Sequence, residues 1–118
     1  MHRHIEAYSH QSRIGVLVEL ETRDDFTART DEFKHLARDI ALHIAASNPV
    51  GIEPIDERSL ARQWANTAAT GINDAVLLEQ PFIKDESMTI RERIILTEHA
   101  LKAPVRIVRF VRFATDET

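Results

Sequence analysis

The sequence has no cysteine among its 118 residues. That excludes a disulfide framework, a thiolate metal site and a cysteine nucleophile, and it fits a reducing cytoplasm. Glycine stands at only three positions, too few for a phosphate cradle built from backbone amides. No glycine-rich phosphate loop, G-x-S-x-G elbow or H-E-x-x-H helix occurs. No apolar run reaches the ~18 residues that a membrane-spanning helix needs. The opening MHRHIEAYSH lacks the apolar centre of a secretory signal. Basic charge is not in excess either: the formal net charge is −4, so binding to nucleic acid through bulk charge is disfavoured and no direct nucleic-acid contact is expected. With the catalytic constellations missing, the chain is expected not to be an enzyme and to carry no cofactor or metal.

What remains is an ordinary globular composition, 43% hydrophobic and 29% charged, long enough for one domain over residues 1–118 with a modest core. HIEAYSH (4–10) reads as a short strand and QSR (11–13) as a turn. IGVLVELE (14–21) alternates, with Ile14, Val16, Val18 and Leu20 on one face and Gly15, Leu17, Glu19 and Glu21 on the other. Thr30 can cap a helix whose first turn holds Asp31 and Glu32. Phe33, Leu36, Ala37, Ile40 and Ile44 form its apolar stripe, and Asn48-Pro49 ends it. A second helix is expected from Asp56, with Leu60, Trp64 and Ala68 on one face, Trp64 mostly buried, and a stop at Gly71. QPFIKDES (80–87) is extended or irregular, pinned to the core by Phe82. A third helix starts near Ser87 or Thr89, with Ile90, Ile94 and Leu101 on one side. VRIVRFVRF (105–113) reads as a strand. The order is β-β-helices-β, an α+β fold with a three-stranded antiparallel sheet packed against helices in two layers. Apolar residues on both sheet faces suggest pairing with a second copy.

Asp24-Asp25-Phe26 stands at the exit of the second strand. The two carboxylates are read as turn and cap residues rather than as an acid–base pair or magnesium ligands. A phenylalanine there either folds back onto the core as a staple or is offered to a partner. His2 and His4 are read as exposed terminal side chains. His35 and His43, two turns apart on the first helix, lack a third metal ligand. Arg106, Arg109 and Arg112 are read as a solvated strand face.

GVLVELETRDDFTARTDEF (15–33) resembles the segment of bacterial elongation factor Ts in which a strand leads into a Thr-Asp-Phe-Val loop and then AR-x-DEF. LARDIALHIAASNP, LLEQPFIKD and VRFVRF resemble later blocks of that family in the same order. AYSHQSRIGVLVEL resembles its strand pair, including a histidine in the hairpin. The resemblance covers nearly the whole chain and corresponds to the core, or dimerisation, domain. It implies a guanine nucleotide exchange factor, cytoplasmic and homodimeric, that acts on GDP-bound elongation factor Tu. It further implies that Asp25 and Phe26 meet the GTPase near its magnesium and phosphate site, Phe26 as a wedge, and that His10 is a further contact. The alternative is a dimerisation or interaction module of the same family without exchange activity. The departures stand at and before the loop: Glu21-Thr22-Arg23 replaces the family's Asn-Cys-Glu, Asp24 its Thr and Thr27 its Val. The region between HIAASNP and LLEQPF is shorter than the family's helical hairpin, and the N-terminal helical domain with its Thr-Gly-Ala-Gly motif is absent from the sequence.

Overall fold

A computed structural model describes residues 1–52 and 76–115. Strands β1 (His2–His10) and β2 (Ile14–Thr22) form an antiparallel hairpin. Its turn, His10–Arg13, is closed by the Arg13 amide donating to the His10 carbonyl at 3.0 Å. Gln11 and Ser12 take φ of 53° and 59°, the left-handed region that hairpin turns matched to strand twist require. A short helix α1 (Asp25–Ala28) and a long helix α2 (Asp31–Ser47) follow. After the 3-10 turn Leu77–Glu79 come β3 (Pro81–Phe82), β4 (Asp85–Thr89), helix α3 (Ile90–Leu101) and β5 (Val105–Ala114). The main sheet is antiparallel, in the order β1-β2-β5, and β3-β4 makes a separate small hairpin. The fold is α+β with a three-stranded antiparallel sheet, as expected. QPFIKDES is more regular than expected, because it forms that hairpin. The expected helix from Asp56, with Leu60, Trp64, Ala68 and Gly71, lies outside the described residues.

The helix boundaries follow from local chemistry. Thr30 accepts from the Phe33 amide at 3.2 Å and opens α2. Asn48, φ 49°, closes it. Thr89 and Glu92 form a capping box at the start of α3, with the Thr89 amide donating to Glu92 Oε1 at 2.8 Å. Phe33, Leu36, Ile40 and Ile44 of α2 are buried against Val16, Val18 and Leu20 of β2 and Val105 and Ile107 of β5. Ile90 and Ile94 of α3 and Leu77 and Phe82 complete the core. Phe82 is buried and pins its loop, as expected.

A bulge in the β2–β5 pairing, between Glu19 and Leu20, decides where the three arginines point. Strict alternation would put Arg106 and Arg112 on one face and Arg109 on the other. The extra residue, Val108, shifts the phase. Arg106 therefore stands opposite Glu21 and Arg109 opposite Glu19, both on the face away from the helices. Arg112 lies opposite Val16 on the helix side, where its guanidinium donates to the Ala45 carbonyl at 3.0 and 3.1 Å in the last turn of α2. A cation suits that end of the helix dipole. The reading of all three arginines as a solvated face is corrected for Arg112.

The histidines need a similar correction. His4 is half-buried, its ring edge-on to Phe33 at 5.5 Å, and it contacts Glu6 at 2.9 Å. His43 is buried. Its Nε2 lies 2.9 Å from Gln80 Oε1, and its Nδ1 accepts from the Ile83 amide at 3.2 Å. The acceptor role of Nδ1 leaves the proton on Nε2, so this is a neutral histidine joining α2 to the β3-β4 hairpin. Burial pushes its pKa below the usual imidazole range, against the opposing pull of the Gln80 hydrogen bond. Among the described residues no group of three His, Asp or Glu could hold a metal ion, and no helix is long and apolar enough to cross a membrane.

Candidate functional site

The stretch after β2 is built around a cap that the sequence only half suggested. Asp24 is extended, φ −158°, and N-caps α1. Its Oδ1 accepts from the Thr27 amide at 2.8 Å and from Thr27 Oγ1 at 2.6 Å. Those bonds from Thr27 hold the Asp24 carboxyl below the usual carboxylate range. Thr27 and Ala28 are buried and root the turn in the domain. The Thr30 amide and hydroxyl both donate to the Thr27 carbonyl, at 3.2 and 2.8 Å, which joins the turn to the cap of α2.

Phe26 lies on the outer side of this turn and is 78% exposed. It does not fold back, so the staple reading is excluded. Asp25 lies in the first turn of α1 and contacts Arg29 Nε at 2.9 Å and His2 Nε2 at 3.7 Å. Both pairs are solvent-exposed, so they orient the carboxylate more than they stabilise the fold. The result is an unsupported aromatic beside an oriented carboxylate, on a turn fixed by buried neighbours.

His10 is elsewhere. It is exposed at the β1–β2 turn, where Tyr8 Oη lies 3.0 Å from its Nδ1. His2, which reaches Asp25, is at the other end of the same strand. Eight residue steps of about 3.3 Å put the two ends roughly 26 Å apart. The structure thus brings Asp25 and Phe26 together and leaves His10 at the opposite end of the β1 edge.

The sheet face away from the helices has two halves. In one, Arg3 and Arg106 flank Glu21, at 3.2 Å each, and Arg109 bonds Glu19 at 2.6 Å. The Arg109 hydrogen bond is the main cause holding Glu19 below the usual carboxylate range. At Glu21, desolvation acts upward, and the bonds from Arg3 and Arg106 outweigh it, leaving the group lowered. In the other half, Ile5, Leu17, Val111 and Phe113 are exposed, and a groove of about 280 Å³ bordered by Ile5, Leu17 and Val111 reaches Glu19 and Arg109 where the two halves meet.

Sequence reasoning missed Arg23. It follows β2 directly, and its guanidinium reaches Asp24 Oδ2 at 3.3 Å, Thr27 Oγ1 at 3.3 Å and the Lys102 carbonyl at 3.1 Å. Arg23, Asp24 and Thr27 are therefore hydrogen-bonded to one another. The available signal was Asp24 with Thr27 three residues on, since an Asp cap and a Thr at that spacing is a helix-start pattern.

The described residues form a small α+β sheet-and-helix domain with an exposed aromatic on a capped turn. The sequence model of the family described as Elongation factor TS matches residues 1–70, a span that contains His10, Asp25 and Phe26. The chain is 39% identical to the Elongation factor Ts of Carboxydothermus hydrogenoformans, over 96% of this chain and 63% of that protein. It is 34% identical to that of Desulfosudis oleivorans, over 96% of this chain and 69% of that protein. With that of Rubrobacter xylanophilus the identity is 37%, over 92% of this chain and 68% of that protein. The chain belongs to the elongation factor Ts family. It spans 63–69% of the length of these relatives. The first alignment runs over 139 positions, more than the chain's 118 residues, so that relative carries insertions within the matched span.

Proposed function

We propose that residues 1–118 act as one exchange-factor core domain of translation elongation in the cytoplasm, binding GDP-bound elongation factor Tu and promoting GDP release. Phe26 is the wedge that enters near the magnesium and phosphate site, and Asp25 orients it. No covalent step is involved. A factor that binds the GTPase and weakens its hold on nucleotide is itself bound more weakly when nucleotide is present, by the same coupling free energy. His10 is a second contact, and a partner touching both must lie along the exposed edge of β1 for roughly 26 Å. Family membership supports this reading. The observation that carries it is the 78% exposure of Phe26 on a turn whose neighbours Thr27 and Ala28 are buried.

The test is GDP release from elongation factor Tu, followed with a fluorescent nucleotide, with the wild-type chain and with Phe26→Ala. A wedge variant keeps folding stability within about 1 kcal/mol, as surface substitutions do. Its acceleration of release falls at least roughly tenfold, as expected when an aromatic anchor is removed. A Phe26→Ala chain that loses about 3–5 kcal/mol, the cost of a core aromatic truncation, and still accelerates release normally overturns the proposal.

The second reading is a dimerisation module of the same family without exchange activity. The exposed apolar half of the sheet, with Ile5, Leu17, Val111 and Phe113, favours it. Pairing of two copies through this face is compatible with either reading. A chain that forms dimers but leaves GDP release at its spontaneous rate decides for the module.

A further inference from the structure

We infer that Arg23 is a positioning residue for Phe26, acting through Asp24 and Thr27 and through a tether to the end of α3; the inference rests on the wedge reading of Phe26. Four residues are too few for a helix to be stable by itself, and the Phe26 side chain gets little support from the domain. Its direction is therefore set by the backbone of α1. That backbone is held by the Asp24 cap. Arg23 closes the cap into a ring: Nε donates to Asp24 Oδ2, Nη2 donates to Thr27 Oγ1, and Thr27 Oγ1 donates to Asp24 Oδ1.

The third arm of the guanidinium leaves the ring. Nη1 donates to the carbonyl of Lys102, the left-handed residue that caps the C-terminus of α3. A cation is favoured at that helix end. One planar side chain thus fixes the turn internally and also fixes it relative to an element 79 residues away in sequence. A lysine has one nitrogen and cannot hold three acceptors in that geometry. The neighbouring anchor has the same logic: buried Thr22 donates to the Pro104 carbonyl at 2.7 Å, so the β2 exit is bound twice to the α3–β5 connection.

Loss of Arg23 lets the turn sample other orientations, so only a fraction of molecules presents Phe26 correctly. A partner then binds with an apparent affinity reduced by that fraction, while the bound complex is unchanged. The experiment compares wild type, Arg23→Ala and Arg23→Lys by amide hydrogen exchange at Thr27 and by titration of GDP release from elongation factor Tu. In both variants Thr27 exchange quickens roughly fivefold, the scale of an exposed charge-assisted bond. The half-saturating concentration rises by a similar factor, and the plateau release rate stays at the wild-type value. Unchanged Thr27 exchange overturns the inference, as does a fall in the plateau with an unchanged half-saturating concentration, or full rescue by lysine. If the wild-type chain accelerates no release, the exchange-factor reading fails, and Thr27 exchange alone decides the role of Arg23.

Discussion

Replacing His43 by alanine tests how the β3-β4 hairpin is held. The imidazole lies between α2 and the hairpin, with its Nε2 on Gln80 and its Nδ1 on the Ile83 amide. Gln80 Oε1 also accepts from Ser47 Oγ at 3.0 Å. Truncation leaves the Ile83 donor without this acceptor and opens a void beside Phe82, whose ring centre is 6.3 Å from that of His43. The Ile83 bond is part-buried, so its loss costs about 1 kcal/mol. The void adds about 1 kcal/mol or more, so a total near 2 kcal/mol is expected. For a chain of this size that lowers Tm by roughly 10 °C. Asparagine, whose Oδ1 can take the place of Nδ1, should recover about 1 kcal/mol of the loss. The pH dependence gives the second readout. The folded-state pKa of His43 is lowered by burial, so the unfolded chain binds the extra proton first. Stability is therefore full above the unfolded value of about 6.5 and falls as pH drops below it, levelling off beneath the folded value. Protonation of Nδ1 also removes the acceptor for Ile83. His43→Asn abolishes this part of the pH dependence. Thermal denaturation between pH 8 and pH 5 measures both effects. A loss below about 1 kcal/mol for His43→Ala, or an unaltered pH profile in His43→Asn, refutes the reasoning.

The β1–β2 turn holds Gln11 and Ser12 with positive φ. The double change Gln11→Asn and Ser12→Gly should raise stability by about 1 kcal/mol in urea unfolding, with the urea dependence unchanged. On the outer sheet face, Leu17→Lys should convert a dimer to a monomer in analytical ultracentrifugation while leaving monomer stability within about 0.5 kcal/mol, and a wild-type chain that sediments as one protomer at micromolar concentration removes that expectation.

The fold was legible where one physical signal dominated. The β2 alternation placed Val16, Val18 and Leu20 on the buried side, and the 3.6-residue stripe of α2 placed Phe33, Leu36, Ile40 and Ile44. Thr30 and Thr89 open their helices and Asn48 closes one, as cap chemistry requires. β5 was legible as a strand but not in its facing, because the bulge at Val108 is a property of the pairing with β2 and not of the β5 sequence. His43 looked like any helical histidine. Its partners, Gln80 and Ile83, are 37 and 40 residues away, and only tertiary packing brings them to the ring.

The candidate site divides the same way. An aromatic between polar residues, just ahead of a capped helix, was enough to single out Phe26, and its exposure separates the two fates open to it. The support of that turn was not legible, because Asp24 and Thr27 each look unfavourable when taken alone. The Asp24 carboxylate adds charge beside Asp25, and the buried Thr27 hydroxyl needs a partner. Together the two cancel each other's cost. Thr27 is buried, but its hydroxyl donates to Asp24, and the Asp24 charge is met by that bond, by the Thr27 amide and by Arg23. Among the described residues no buried side-chain polar atom is left without a hydrogen-bond partner. Interaction energies of this kind belong to the group and not to its members. Replacing Asp24 alone by threonine therefore leaves Arg23 without its carboxylate, and the triad is best treated as one unit in any substitution series on this loop.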